Sequence, residues 1–300
     1  MNDEMAKSEI LVVGSINLDI LLFQDRLPAR GETYPARELR EEFGGKGANQ
    51  AVQAAKLGQR VRFIGAIGRD RRGQDCRGNL ERFGIDCYLQ EVDRPTGLGV
   101  NNILANGELH ATVALGANAA LTSEWIESHK ALFDQAAYVL LQNEISPEAN
   151  AIALLLAKDS GSRVIYNAAP AIPSDLSIMS SAAYLVVNEE EAKAYAGGEG
   201  TSPGSMEDTV AQLRNHCSRV IVTRGADDTL VCVDSEIRHV PVAAVNPVDT
   251  TGAGDAFVGT LASALNSGRS DLDATVLASR LASEATKGIG AQGAMADSWE

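Results

Sequence analysis

Cysteine is scarce in this sequence, and its spacing forms no known pattern. The 300 residues include four cysteines, Cys76, Cys87, Cys217 and Cys232. None of them forms a Cys-x-x-Cys pair, and nothing in their positions indicates a disulfide framework or a zinc site. We therefore expect reduced cysteines that pack against other side chains, as is usual in a cytoplasmic protein.

Histidine and positive charge are also in short supply. The four histidines are dispersed, and none lies in a loop after a predicted strand, so we expect neither a histidine base nor a histidine metal site. Lys and Arg number 26 against 40 Asp and Glu, which gives a formal net charge of −14. Because nucleic acids are bound through excess positive charge, we expect no nucleic-acid partner. A small anionic nucleotide can still be bound by backbone N–H groups and a metal ion.

Long hydrophobic runs are absent as well. Residues 1–9 are polar and acidic, and the apolar run Ile10–Val13 has only the length of a strand. This run is too short for a transmembrane helix, and its flanks do not match a signal peptide. We expect a cytoplasmic protein with no membrane partner.

The apolar residues that are present, 45% of the chain, alternate between strand-like and helix-like spacing. Buried-strand patterns such as Val61–Ile67 and Ala137–Gln142 are followed by helical patterns. This order predicts an α/β fold with a doubly wound, mostly parallel sheet flanked by helices.

Two stretches, Leu18–Glu42 and Cys87–Leu115, interrupt this order with short alternating strands and turn signals. We predict that they form a small discontinuous β-sheet lid. The predicted boundaries are 18–42 and 86–116 for the lid, and 9–17, 43–85 and 117–300 for the α/β domain.

The segment Asp249–Phe257, Asp-Thr-Thr-Gly-Ala-Gly-Asp-Ala-Phe, is the strongest candidate for a functional site. It is predicted to lead into the first turn of a helix, where unpaired N–H groups and the helix dipole favour an anion. Gly252 and Gly254 allow the backbone to approach a ligand closely. A carboxylate at Asp255 would repel that anion unless it removes a proton from a nucleophile that attacks it, as in phosphoryl transfer. The alternative is that Asp249 and Asp255 only support the turn and the helix start.

Polar residues also follow the first predicted strand and begin the next helix. Asn17 and Asp19 come directly after the strand, where ligands bind in open α/β sheets, although a turn uses the same residue types. Gly45 and Lys46 precede a helix in a segment that does not match a Walker A loop. The alternative for this segment is a flexible loop with a solvated lysine.

Asn188 and Glu191 follow a later strand with the spacing i, i+3, so both face the same way on the first turn of a helix. Polar residues at the end of a strand are candidates for a ligand site in an open α/β sheet. The alternative is that Asn188 is the helix N-cap, and both roles can be combined.

Together, five motifs that occur in order resemble the ribokinase-like (PfkB) family of carbohydrate kinases. The resemblance extends from about Ile10 to Gln292, nearly the whole chain. It implies an α/β kinase domain with a β lid that transfers the γ-phosphoryl group of ATP to the hydroxymethyl oxygen of a pentose, first of all D-ribose. The motifs are Gly14-Ser-Ile-Asn-x-Asp19, Gly44-Gly-Lys-Gly-Ala-Asn-Gln50, Gly116-Ala-Asn-Ala-Ala-Leu121, Asn188-x-x-Glu191 and Asp249–Phe257.

The resemblance also implies roles for individual residues. The catalytic base is expected to be Asp255, next to an anion hole formed by the backbone N–H groups of Gly252, Ala253 and Gly254. The expected sugar contacts are Asn17, Asp19, Gly45, Lys46, Asn49, Glu144 and Asp255. The expected contacts to ATP are Asn188 and Glu191, which organise Mg²⁺ and phosphate, with Thr223, Gly225 and Gly254 along the nucleotide. An activating K⁺ is expected at the Asp249 carboxylate and the backbone carbonyls of Thr251, Ala285, Gly288 and Gly290.

Two departures from the family pattern concern the cation and the sugar. Ala294 stands where the family has a cation-binding serine, so one oxygen ligand for K⁺ is missing. Asn101 and Asn102 stand in a lid strand where apolar residues are expected. Because side chains alternate along a strand, one of these two asparagines must face the sugar, where it could read an additional hydroxyl group.

The resemblance leaves alternatives for the substrate and the activity. A sibling kinase would act on deoxyribose, another pentose, a ketohexose or a nucleoside. A sugar- or nucleotide-binding regulator on the same fold would most simply have lost Asp255 or a glycine of the anion hole, and both are intact. We also expect a homodimer that pairs lid against lid, because exposed lid strands in a monomer would be free edges.

Overall fold

The computed structural model describes residues 7–106, 108–172, 177–197 and 204–299. Its thirteen described strands are β1 (Glu9–Val13), β2 (Asn17–Gln24), β3 (Glu38–Gly44), β4 (Val61–Gly68), β5 (Asp86–Val92), β6 (Gly97–Leu104), β7 (Leu109–Ala114), β8 (Ala136–Gln142), β9 (Arg163–Asn167), β10 (Tyr184–Asn188), β11 (Val220–Arg224), β12 (Asp227–Val233) and β13 (Glu236–Val240). The ten described α-helices are α1 (Lys46–Lys56), α2 (Arg71–Arg82), α3 (Ser123–Ser128), α4 (Pro147–Ser160), α5 (Ser177–Ser181), α6 (Glu189–Ala196), α7 (Met206–Leu213), α8 (Ala253–Asn266), α9 (Asp271–Ala285) and α10 (Ala291–Ala294). Short 3₁₀ helices cover Gly116–Ala120 and Lys130–Leu132.

The larger sheet confirms the predicted α/β fold class. Its nine strands lie in the order β13-β12-β11-β10-β9-β8-β1-β4-β5, parallel from β11 to β5 and antiparallel at β12 and β13. All residues of β1 are buried, because helices cover both faces of the sheet. Ile10 and Val12 belong to the core on the side of α1, α8 and α9, whereas Leu11 and Val13 belong to the core on the side of α4, α6 and α7.

The strand order reverses at β1. This strand pairs with β4 on one side and with β8 on the other, so the connections leave it in opposite directions. A crevice opens at such a reversal beyond the carboxyl ends of the strands. The polar residues that follow β1, β8, β10 and β11 therefore lie at one edge of the sheet.

The smaller sheet has the order β3-β2-β6-β7, with β2 and β6 parallel and the outer pairs antiparallel. The prediction that residues 86–116 belong to this sheet is wrong for Asp86–Val92. This segment is β5, which pairs in parallel with β4 at the edge of the larger sheet. Its half-exposed pattern resembles a lid strand because an edge strand is only partly covered. Among the described helices, none combines the length and the apolar character needed to span a bilayer.

Candidate active site

A cavity of about 410 Å³ lies between the carboxyl ends of the larger sheet and the inner face of the smaller sheet. A wider cavity of about 840 Å³ lies between α2 and the outer face of the smaller sheet, and none of the predicted site residues line it. The predicted residues that line the first cavity are Asn17, Asp19, Gly45, Lys46, Asn49, Glu144, Asn188, Glu191, Thr223, Thr251, Gly252, Gly254 and Asp255. Those that do not line it are Ala253, Gly225, Asp249, Ala285, Gly288 and Gly290.

Asp255 is buried in the first turn of α8. Its carboxylate accepts hydrogen bonds from Asn49 Nδ2 at 2.9 Å and from Gln50 Nε2 at 3.1 Å. Burial raises the pKa of Asp255, and the neighbouring Lys46 ammonium acts in the opposite direction. The carboxylate is therefore fixed in place, and its proton affinity is higher than that of an exposed aspartate, which suits a base.

The start of α8 depends on Gly252. This residue has φ +76°, and a Cβ added to it would lie 2.5 Å from the Cβ of Ala291, so only glycine fits. Of the three N–H groups predicted to form an anion hole, that of Ala253 donates to the Thr250 carbonyl at 3.2 Å. The N–H groups of Gly252 and Gly254 have no hydrogen-bond partner among the described residues, so both remain able to bind an anion.

Asp19 extends from β2 into the cavity between two glycines of neighbouring strands. A Cβ on Gly44 would lie 2.1 Å from one carboxylate oxygen of Asp19, and a Cβ on Gly99 would lie 2.3 Å from the other. Burial, followed by the charges of Glu144 and Asp255, raises the pKa of Asp19 to about 6. The glycines on β3 and β6 thus make room for a carboxylate that ionises near neutral pH.

Asn118 and Ser15, which were not predicted as site residues, help to orient Asn17 and Glu144. Asn118 Nδ2 donates to Asn17 Oδ1 at 2.8 Å. Glu144 Oε2 accepts from Ser15 Oγ at 2.6 Å and from the backbone N–H of Lys46 at 3.0 Å. Glu144 therefore fixes the start of α1, where the lysine lies, in addition to lining the cavity.

Lys46 is the cationic centre of the cavity. Burial lowers the pKa of Lys46, but the carboxylates of Asp255, Glu144, Glu191 and Asp19 outweigh this effect and raise it. The ammonium group therefore stays protonated among four acids. It compensates their repulsion and can draw an anionic group into the cavity.

Asn188 and Glu191 form a capping box at the start of α6, so the alternative that Asn188 is the helix N-cap is confirmed. Asn188 Oδ1 accepts from the Glu191 N–H at 2.8 Å, and Glu191 Oε2 accepts from the Asn188 N–H at 2.9 Å. Burial raises the pKa of Glu191. Thr223 lines the same cavity from the end of β11, and Gly225 follows it with φ +62°.

The loop at Asp249 is held against the segment before α10. Asp249 Oδ1 accepts from the Thr251 N–H and Oδ2 accepts from the Gly290 N–H, both at 2.9 Å. The hydroxyl oxygen of Thr251 is buried and has no hydrogen-bond partner. Within the described ranges, no group of three or more His, Cys, Asp or Glu side chains could hold a metal ion. The Asp249 carboxylate thus connects the loop before α8 to the segment before α10.

The two asparagines of β6 point to opposite sides of the smaller sheet, as predicted from strand alternation. Asn101 is buried and lines the cavity, and its side chain has no hydrogen-bond partner within the described part of the chain. Asn102 accepts from Gln24 Nε2 at 3.0 Å on the outer face. A free amide therefore faces the predicted sugar position.

Sequence reasoning missed several residues that hold the site together. Gln50 donates to Asp255, and its Oε1 accepts from Gln142 Nε2 at 2.8 Å. Gln50 could have been identified because it lies next to the predicted contact Asn49. Gly99, which flanks Asp19, could have been identified because a glycine within a strand is a signal of close backbone approach. The contact between Gln50 and Gln142 gave no such signal, because it joins positions that are 92 residues apart.

The chain is similar to known proteins along most of its length. The family model described as pfkB family carbohydrate kinase matches residues 7–298. Ribokinase from Mus musculus is 35% identical over 265 residues, covering 86% of this chain and 82% of that protein. Deoxyribokinase from Salmonella typhi is 33% identical over 258 residues, covering 85% and 84%. The structure of Arabidopsis thaliana ribokinase complexed with ribose and ATP superposes with a TM-score of 0.87 at 30% identity, covering 96% of this chain and 95% of that chain.

Proposed function

The chain belongs to the pfkB family of carbohydrate kinases, and we propose that it transfers the γ-phosphoryl group of ATP to the hydroxymethyl oxygen of D-ribose, forming ribose 5-phosphate. The observation that carries this proposal is the buried carboxylate of Asp255 at the start of α8, inside the cavity that Asn17, Asp19 and Lys46 also line. The similarity to ribokinases supports the choice of sugar and nucleotide.

We propose that the sugar binds between the smaller sheet and the start of α1. Asp19 offers carboxylate oxygens that can accept from sugar hydroxyl groups, and Asn17 and Asn49 offer amide groups. Gly44 and Gly99 let the backbone of β3 and β6 approach the Asp19 carboxylate closely on both sides. A fixed acceptor of this kind favours one orientation of the sugar, so that its hydroxymethyl group lies near Asp255.

Asp255 is proposed to take the hydroxymethyl proton. Phosphoryl transfer has a loose transition state, so the hydroxyl proton becomes acidic only as the new bond to phosphorus forms. The position of the Asp255 carboxylate then matters more than its basicity. The hydrogen bonds from Asn49 and Gln50 hold this carboxylate in one place. Burial raises the pKa of Asp255, and the positive charge of Lys46 opposes this effect by favouring the ionised carboxylate.

The free N–H groups of Gly252 and Gly254 are proposed to bind the transferring phosphoryl group. They point outward at the positive end of the α8 dipole, where charge that develops on phosphate oxygens is stabilised. We propose that the smaller sheet acts as a lid over this place and excludes water, which would otherwise accept the phosphoryl group.

The start of α6 is proposed to organise Mg²⁺ and the phosphates of ATP. One carboxylate oxygen of Glu191 is used by the capping box, while the other has no partner among the described residues. A free carboxylate oxygen near Lys46 is a ligand that fits Mg²⁺, directly or through water. When bound, Mg²⁺ would neutralise phosphate charge. Thr223 and Gly225 are proposed to lie along the nucleotide.

A K⁺ site is proposed between the Asp249 loop and the segment that precedes α10. The buried hydroxyl oxygen of Thr251 lacks a partner, and the Asp249 carboxylate lies beside it in the loop. Carbonyl groups of Thr251, Ala285, Gly288 and Gly290 would complete an oxygen shell, and hard cations prefer oxygen ligands. Ala294 contributes no hydroxyl group, so we expect weaker activation by K⁺ than a serine there would give.

A sibling specificity is the second candidate function, and Asn101 is the observation that favours it. Its unpartnered amide faces the cavity from β6, where it can hydrogen-bond one more sugar hydroxyl group than an apolar side chain could. The similarity to a deoxyribokinase also makes 2-deoxyribose a candidate substrate. A regulator without kinase activity is disfavoured, because Asp255 and the glycines of α8 are present.

We further propose a homodimer formed through the smaller sheet and a cytoplasmic location. The edge strands β3 and β7 carry exposed apolar side chains, Leu39 on β3 and Leu109 and Val113 on β7, which a second copy of the chain could cover. All four cysteines are free, and Cys76, Cys217 and Cys232 are buried, which fits a reducing compartment.

Release of ADP from Mg-ATP, measured over a panel of sugars, tests the proposed function. The panel contains ribose, 2-deoxyribose, fructose, other pentoses and adenosine, each with and without K⁺. We expect the highest kcat/KM for ribose, and a loss of about 10²- to 10⁴-fold in kcat for Asp255→Asn, because a neutral amide cannot accept the proton.

Each result of the panel has one meaning. A better substrate than ribose would favour the sibling specificity, and Asn101→Ile should then shift the preference back towards ribose. Turnover that persists in Asp255→Asn would contradict the role of this residue as base. No turnover on any sugar would favour the regulator.

A further inference from the structure

A line of four hydrogen bonds connects Arg82, in the last turn of α2, to the carboxylate of Asp255. Arg82 Nη2 donates to Asn79 Oδ1 at 2.9 Å, and Asn79 Nδ2 donates to Gln292 Oε1 at 2.7 Å. Gln292 Nε2 donates to Asn49 Oδ1 at 3.0 Å, and Asn49 Nδ2 donates to Asp255 Oδ2 at 2.9 Å. We call the three amides of Asn79, Gln292 and Asn49 the amide relay.

The amide relay is shielded from water and joins distant parts of the chain. Asn79, Gln292 and Asn49 are 6%, 6% and 5% exposed. They come from α2, α10 and α1, and the relay ends on α8. Hydrogen bonds in such a place polarise one another, so a change at one end affects the other end.

The two ends of the relay fix its direction. The Arg82 guanidinium can only donate hydrogen bonds, and an ionised Asp255 can only accept them. Each amide must therefore turn its carbonyl towards Arg82 and its NH₂ group towards Asp255. Reversing one amide would place two donors together on one side and two acceptors together on the other, which costs the hydrogen bonds on both sides.

Arg82 is suited to fix one end of the relay because its charge is not otherwise occupied. In the part of the chain that the structure describes, no carboxylate lies within salt-bridge distance of its guanidinium, and its side chain packs over the Phe43 ring at 5.9 Å. Arg82 lines the wider cavity together with Arg71 and Arg72. Asn79 Oδ1 accepts from this cation and is held in one orientation.

We propose that Arg82 is a positioning residue for phosphoryl transfer, which acts through the amide relay to keep the Asn49 NH₂ group directed at Asp255. This inference rests on the proposed role of Asp255 as base. The oriented amide donates to the ionised carboxylate and so favours its charged form. Without Arg82, Asn79 and then the following amides can reverse when Asp255 is protonated, because the carboxylic acid can then donate to Asn49 Oδ1, and this stabilises the protonated form.

The other charged groups that face Asp255 do not depend on Arg82. They are Lys46 on α1, Glu144 after β8, Asp19 on β2 and Glu191 on α6. Substitution of Arg82 leaves all four in place. A change in the ionisation of Asp255 can therefore be assigned to the relay when a second cation of the same wider cavity serves as control.

The test compares Arg82→Met, Arg82→Lys and the control Arg72→Met in the full chain, with kcat/KM for the best sugar measured against pH. We expect Arg82→Met to move the acid limb of the profile to higher pH by about half a pH unit. This is the shift expected when one hydrogen bond to the carboxylate is weakened. At a pH on that limb, this shift is a loss of about threefold in kcat/KM. KM for ATP should stay unchanged, Arg82→Lys should restore most of the shift, and Arg72→Met should show none.

A second variant examines the middle of the relay. Glu at position 292 can only accept, so Gln292→Glu should reverse the Asn49 amide and move the acid limb further in the same direction than Arg82→Met does. An equal shift in Arg72→Met, a loss at every pH without a shift, or an unchanged profile in Arg82→Met would overturn the proposal. A wild-type chain without kinase activity would instead refute the proposed function on which the relay rests.

Discussion

Burial and the charges of Glu144 and Asp255 raise the pKa of Asp19 to about 6. Because the pKa of Asp19 is higher in the folded protein than in the unfolded chain, the protonated carboxyl group stabilises the fold. This contribution is complete at pH values below the pKa of the unfolded chain, and it is lost as the pH rises through about 6. We therefore expect Asp19→Asn to raise the free energy of unfolding at neutral pH by about 1–2 kcal/mol, while it weakens sugar binding.

Denaturant unfolding of the wild type and Asp19→Asn at neutral pH and below about pH 4 checks this prediction, because the difference should disappear once Asp19 is protonated in both states. Asp93→Asn is a matched control, since the Asp93 side chain is 85% exposed. An Asp19→Asn variant that is less stable than the wild type at neutral pH would show that the carboxylate contributes more through its contacts than it costs through burial.

The sequence indicated the residues that line the cavity better than the residues that support them. Asn17, Asp19, Lys46 and Asp255 lie in recognisable motifs, and all line one cavity. Asn79 and Gln292 lie in no motif, and their hydrogen bond joins positions 213 residues apart. A contact over such a distance along the chain leaves no local pattern, so only the fold reveals the amide relay.

The first turn of α8 offers a prediction about an element, because Gly252 and Gly254 differ in what they require. Gly252 has φ +76°, and an added Cβ would meet Ala291, whereas a Cβ on Gly254 meets nothing within 4 Å. We expect Gly252→Ala to lower the free energy of unfolding by about 2 kcal/mol or more through backbone strain and overlap. Gly254→Ala should leave it unchanged or raise it by about 0.5 kcal/mol, because alanine favours a helix.

Melting curves and kinase assays of both variants separate the two roles. Gly254 lines the cavity, so its alanine variant should keep its stability yet lose kcat, because the methyl group occupies space next to the proposed phosphoryl position. Equal stability of the two variants would contradict the strain assigned to Gly252. Full activity of Gly254→Ala would remove this residue from the anion hole.

Elements were predicted well where their burial is uniform and poorly where it is mixed. The strands β4 and β8 are buried along almost their whole length and were predicted from apolar runs, and the helix α8 was predicted after the Asp249 loop. The strand β5 was assigned to the wrong sheet, because an edge strand with exposed and half-buried residues has the same alternation in either sheet. The chain passes from β4 through α2 to β5, and β5 then pairs in parallel with β4. The local sequence of β5 does not encode which strand it pairs with.

In the assembled fold, the smaller sheet has two edges without a described partner strand, and its inner face lines the cavity. The smaller sheet has β3 and β7 as its outer strands, and each carries exposed apolar residues. A free edge with apolar side chains tends to pair with another chain, and a closed pair of identical edges is the simplest way to protect it. This property concerns the assembly, so no single motif in the sequence could define it.

The expected homodimer can be examined with one pair of exposed leucines. Leu39 on β3 is 57% exposed and Leu155 on α4 is 55% exposed, but only Leu39 lies on the smaller sheet. Light scattering at micromolar concentration should give twice the chain mass of 31.6 kDa for the wild type and for Leu155→Glu. Leu39→Glu should dissociate towards the monomer, because a charge buried between two copies is costly. A monomeric wild type, or dissociation of both variants alike, would contradict pairing through the smaller sheet.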